Sequence, residues 1–258
     1  MNKLLSLEFR RLLRAKSFYI CTAIALIMIL ISAATSKMLL NIASSEEFNE
    51  AFGGAAIQAP TSLSMLKGVA SSSLTVILAI FLSIFTAEDY SADTIKNIYA
   101  KGISRDEVFF SKYVSAIAAT LVMFLVCALF SLVMGKAMFG EFGTAGKNYV
   151  GSMFAILLSV IAYATIYFTI AICLKKTGAS IAISIIGPIV LSLLLTLVNV
   201  AIKSDTINIS NYWLDGRMGI LEMVDVSGKD LLIGFIVAAV ALLGAGAIGF
   251  VINRGSEK

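Results

Sequence analysis

The sequence predicts an all-α integral membrane protein of six spans, and three observations predict it. Hydrophobic residues make up 59% of the 258 positions and charged ones only 14%, where average soluble domains carry roughly 25% charged residues. Six apolar runs are long enough to cross a hydrocarbon core of about 30 Å, which takes about 20 helical residues. The basic residues divide unevenly between the segments that join those runs. Spanning helices satisfy their own backbone polar groups, so such runs read as helices rather than strands.

Residues 1–17 set Lys3, Arg10, Arg11 and Arg14 on one side of a helical wheel. Leu5, Phe9, Leu12 and Leu13 lie on the other, while Leu4 and Leu7 stray onto the basic side. A basic amphipathic helix of this kind lies in the membrane interface, its cations near anionic headgroups. A signal peptide is the competing reading, with Phe18–Ala34 as its apolar region. The apolar run continues through Leu40 and five more follow, which favours a retained first span.

The spans are expected near Phe18–Leu40, Val69–Ala87, Tyr113–Gly135, Val150–Leu174, Ala179–Ile202 and Leu231–Ile252, within a single transmembrane domain covering 1–258. With the N-terminus in the cytoplasm, the inner segments hold Lys3, Arg10, Arg11, Arg14, Lys16, Lys96, Lys101, Arg105, Lys112, Lys175, Lys176, Arg254 and Lys258, 13 of the 20 basic residues. The positive-inside rule then places both termini and the segment Glu88–Lys112 in the cytoplasm.

That segment carries the clearest punctuation in the chain. Ser91 and Asp93 are N-cap candidates, followed by Ile95, Ile98 and Tyr99 at i, i+3, i+4, so one face is apolar. Gly102 can take the left-handed conformation at a helix end. Ser104-Arg105-Asp106-Glu107 fits a capping box ahead of Val108-Phe109-Phe110. Two short helices broken by a turn are therefore expected at the mouth of a span, as a docking surface; an ordinary charged loop is the alternative.

The remaining features are structural. Gly187-Pro188 should kink the fifth span. Small residues recur at Gly151, Ala155, Ser159 and at Ala241, Ala245, Gly249, rows that let helices pack closely, within the chain by default and across a dimer seam as the alternative. Tyr163, Tyr167 and Asn199 are expected to hydrogen-bond neighbouring helices. In the outer loop 204–230, Tyr212-Trp213 suits the headgroup zone, and the Gly-punctuated stretch after it fits short helices or a re-entrant turn. Cys21, Cys127 and Cys173 all fall in apolar runs, as core thiols rather than a disulfide framework.

Much chemistry is excluded. The chain has no histidine, hence no Ser–His pair and no histidine metal ligand. It has no G-x-x-x-x-G-K-[ST] phosphate loop. No span interior holds Asp, Glu, Lys or Arg; Lys37 and Glu88 sit at expected ends, so ion-coupled transport lacks its groups. The net charge of +4 is too small and dispersed for a nucleic-acid partner. What remains is a pore or carrier body driven from outside itself.

The basic run LLSLEFRRLLRAKSFY, the six-span layout with a long first outer loop, and Glu88-Asp89-Tyr90-Ser91-Ala92-Asp93-Thr94-Ile95-Lys96-Asn97 with Lys101-Gly102-Ile103-Ser104-Arg105 together resemble the permease subunits of type-2 ABC exporters. The last run is similar to that family's E…G-T-[IL]-[RK]-N-[IL]…[GP]-[IV]-[ST]-R, with Asp93 where the family commonly has Gly. The resemblance implies a plasma-membrane permease of bacterial type, paired with a second permease copy (like or unlike) and with a cytosolic ABC ATPase beneath each. Glu88–Arg105, including Ile98 and Tyr99, would be the coupling helix that docks on the ATPase. No cofactor belongs to this chain; ATP and Mg would sit on the partner. The cargo class would be an antimicrobial peptide or another amphipathic compound. A membrane anchor or sensor, or a small channel acting without an ATPase, are the alternatives.

Overall fold

The computed structural model describes residues 2–43, 60–70, 72–91, 102–202 and 208–255. It is an all-α membrane protein with six helices long and apolar enough to span a bilayer. Helix α1 (Asn2–Arg14) breaks at Ala15 and is followed by the first span, α2 (Lys16–Ala43). A short helix α3 (Ser62–Lys67) and a 3-10 turn (Gly68–Ala70) precede the second span, α4 (Ser72–Ser91). The third and fourth spans are α5 (Arg105–Phe139) and α6 (Tyr149–Leu174), and the fifth is α7 (Thr177–Ile202). A 3-10 turn (Ile209–Tyr212) and helix α8 (Leu214–Leu221) then lead into the last span, α9 (Gly228–Gly255).

Helix ends follow from local chemistry. Ser104 takes extended dihedrals and its side chain accepts from the Glu107 amide, which starts α5. Gly140 at φ 75° closes it, donating to Lys136 O at 3.0 Å. Lys175 turns α6 off in the left-handed region, so α7 begins only two residues later.

The core runs along α4 and α6, whose spanning windows are each 67% buried; that of α7 is 6% buried, which puts α7 on the outside. Rows of small side chains explain the closest pairing, α6 with α9. Ala155 and Ser159 are fully buried, and a Cβ on Gly249 would lie 2.8 Å from Thr169 Oγ1. Thr169 in turn donates to Ala245 O at 2.9 Å. The expected intrachain use of these rows is therefore observed. Helix α7 runs on through Pro188.

Four expectations need correction. The helix after Gly102 is not short: Arg105–Lys112 forms the head of the 35-residue α5, because nothing after the Ser104 cap breaks it. Ionisable groups do enter spanning helices, since α4 and α5 extend past their apolar runs and take Asp89 and Lys112 with them, both buried. Cys173 is exposed, unlike Cys21 and Cys127. Asn199 bonds not to a neighbouring helix but to the loop after its own, donating to Asn208 and Ser210 and accepting from Ile209 N at 2.7 Å.

On the side away from the termini the loops are stitched together. Ser62 N and Leu63 N donate to Glu141 O and Phe142 O, and Tyr149 OH donates to Leu63 O at 3.0 Å. Lys67, 1% exposed, donates to Met223 O at 2.6 Å and to Val224 O at 3.4 Å. Asp225 accepts from Lys147 N at 2.8 Å, and Val226 O accepts from Asn148.

Candidate functional site at the ends of spans two and three

The sequence elements singled out for docking flank one another at the end of the bundle that carries both termini. Residues 92–101 lie outside the described residues, and with them Asp93, Thr94, Ile95, Lys96, Asn97, Ile98, Tyr99 and Lys101. What anchors that stretch on both sides is described. Glu88 is exposed and Asp89 buried in the last turn of α4. Gly102 sits at φ 78°, the conformation expected of it, followed by Ile103, Ser104 and Arg105 entering α5.

Four ionised side chains meet there, drawn from three helices. Asp89 (α4) accepts from Lys112 (α5) and from Arg11 (α1) in short, charge-assisted contacts. Glu8 (α1) lies 3.4 Å from the Lys112 ammonium and 3.9 Å from Arg11. Two carboxylates and two cations balance, which is what permits Glu8, Asp89 and Lys112 to be nearly fully buried: an unpaired charge there would be costly. Burial acts to lower the Arg11 pKa, but the hydrogen bond and charge of Asp89 outweigh it and the net shift is upward, so Arg11 stays charged. Arg11 also lies over the Phe85 ring, 5.4 Å from its centroid.

This geometry revises the wheel of α1. Its packed stripe is Leu4, Glu8 and Leu12, at i, i+4, i+8, with Arg11 half-buried beside it. Leu5 and Phe9 are only partly covered, Leu13 is exposed, and Arg10 and Arg14 point outward. Glu8 was overlooked because one carboxylate among four cations reads as a surface charge. Its spacing from Leu4 and Leu12 was the available signal. A groove of about 840 Å³ lies between α1 and the end of α4, bordered by Leu4, Leu7, Arg11, Arg14, Phe85 and Ile103.

The C-terminal end joins the same assembly. Arg254 pairs with Asp106 at 2.7 Å, Asn253 reaches Arg105 O at 3.5 Å, and Phe109 meets Phe168 and Phe250 edge-on. Helices α1, α4, α6 and α9 are thus tied at this end to the first turns of α5 or to Asp89. Among the described residues no group of His, Cys, Asp and Glu is placed to hold a metal ion, and the side chains of the quartet are engaged with one another.

Six helices of spanning length, and a charged hub that joins an N-terminal helix to the roots of two of them, make this a polytopic membrane protein among its described residues. A family model described as ABC-2 family transporter protein matches residues 4–200, and the chain belongs to that family. It is a permease subunit, the membrane part, of an ABC transporter, and permeases of this family generally associate with an ABC ATPase. Neither the curated proteins nor the solved structures give a match to this chain.

Proposed function

We propose that this chain forms, as a dimer with a like or unlike permease, the translocation path of an ATP-driven exporter in the plasma membrane, both termini cytoplasmic. In that reading Glu88–Arg105 docks on a cytosolic ATPase that carries ATP and Mg, and α1 lies in the membrane interface against lipid. The cargo is an antimicrobial peptide or another amphipathic compound.

The observation that supports this reading is the quartet Glu8–Arg11–Asp89–Lys112, which joins α1 to the two described helices on either side of residues 92–101 in the sequence. A push on that stretch reaches α1, α4 and α5 together, because none of the three can shift without separating buried charges. An anchor or channel without an ATPase gives no reason for such a hub at this end.

The test is capture of the ATPase from cells by the tagged chain, with Ile98→Asp placed on the apolar ridge. One well-buried interface side chain is worth about 2 kcal/mol or more, so capture should fall about 30-fold or more while membrane insertion persists. Undiminished capture by this variant would refute the docking role.

A further inference from the structure

The loop between α7 and α9 does not stay outside the bundle. Tyr163 is the fifteenth of the 26 residues of α6, and Ser192 the sixteenth of the 26 of α7. Each is therefore about 15 Å or more from either end of its helix. Asp215, in the first turn of α8, reaches both: Tyr163 OH donates to Oδ1 at 2.5 Å and Ser192 Oγ to Oδ2 at 2.8 Å. A carboxylate from a loop helix thus lies near the mid-length of two spans.

Asp215 is exposed there. Its hydrogen-bond donors are hydroxyls, and among the described residues no Lys or Arg forms an ion pair with it. The nearest cation in sequence, Arg217, is turned away: it is 3% exposed, donates to Asn211 O and pairs with Asp230 at 2.9 Å. Residues two apart on a helix do not share a face, so Arg217 cannot serve both. Facing hydrocarbon, such a carboxylate would be strongly unfavourable; at this depth ionisable groups look onto a bundle interior or a water-filled path and take a partner there. Beside it on α7, Ile189 and Thr196 are exposed at i−3 and i+4 from Ser192, and Leu193 and Leu197 next to them are exposed as well, so the carboxylate stands at the edge of a largely apolar strip.

We infer that Asp215 is a recognition residue for the cationic group, ammonium or guanidinium, of an amphipathic cargo, whose apolar part lies along the exposed strip of α7. The two hydroxyls orient the carboxylate without neutralising it, and the charge it lacks comes with the cargo. This inference rests on the permease reading, but binding to the isolated chain tests it without the ATPase, so the two fail separately.

Trp213, the only tryptophan in the chain, lies two residues from Asp215 and serves as a built-in energy donor. The full chain in zwitterionic nanodiscs is titrated with a dansylated, lysine-containing amphipathic peptide and with the same peptide acetylated on its lysines. In the native protein the cationic peptide should draw energy from Trp213 at about tenfold lower concentration, the scale of one close charge pair. Asp215→Asn should abolish that preference and Asp215→Glu keep it. Equal responses in native protein and Asp215→Asn overturn the inference, as does a loss shared by both peptides. So does a fall in dimer content with peptide binding intact, which would assign the carboxylate to a second copy. Should Asp215→Asn fail to fold, Ser192→Lys supplies an internal ammonium beside an intact carboxylate; a preference that survives it overturns the inference equally.

Discussion

Lys112 donates directly to Asp89 across 23 residues of sequence, and both side chains are almost completely shielded from solvent. Removing one partner of such a pair strands the other as a buried charge, at about 3–5 kcal/mol. Lys112→Met and Asp89→Asn should each lower the unfolding temperature in detergent markedly, and the double variant should be more stable than the sum of the two losses. Strict additivity in that cycle would mean the two residues do not act as a pair.

Gly102 sits at φ 78°, where a β-branched side chain is strained whatever the free space around it. Gly102→Val should redirect the chain between residues 92–101 and α5, and so reduce ATPase capture while expression holds. Lys147→Ala, at the opposite end of the bundle, should leave capture unchanged. Equal behaviour of the two variants would remove the turn from the coupling path.

Lys67 joins the loop before α4 to the loop after α8 through two carbonyls, with Tyr149 beneath its ammonium at 5.0 Å. Lys67→Met removes the donor of both bonds, a loss of about 1.5–3 kcal/mol for a hydrogen bond made by a charged group. Limited proteolysis of residues 222–227 should accelerate in that variant; an unchanged cleavage rate would show that the remaining loop bonds suffice.

Burial raises the Glu222 carboxyl from 4.5 to about 7. The folded chain therefore binds this proton more tightly than the unfolded one, and between those values stability falls as pH rises. Thermal unfolding followed from about pH 4.5 to about pH 7 should show that decline, and Glu222→Gln should flatten it. A decline of equal slope in the variant would assign it to other groups.

Single cysteines at positions 49 and 208, in a background lacking the native three, should react with an impermeant maleimide in intact cells. Labelling only after permeabilisation would reverse the proposed orientation.

The spans were readable because an apolar run of spanning length has few alternatives, and the Ser104 start and the left-handed turn at Gly102 because such signals are local chemistry. The charged hub was not readable. Lys112 looked like a loop cation, Asp89 like a loop anion, and Glu8 like a surface charge; each becomes something else only when α1, α4 and α5 converge. Asp215 was hidden for a related reason. The Gly-punctuated stretch around it allowed a re-entrant turn, but depth is set by the Tyr163 and Ser192 contacts, which lie 52 and 23 residues away.

The pairing of α6 with α9 bears on how the chain is made. Gly151, which meets Leu231, and Thr169, which meets Ala245 and Gly249, are not covered on this side until α9, the last of the described helices, has left the ribosome. Until then α6 stands in lipid with its hydroxyl-bearing face bare. A chain stopped after residue 227 should be inserted yet recognised as unfinished, and degraded by membrane quality control far faster than any point variant described above.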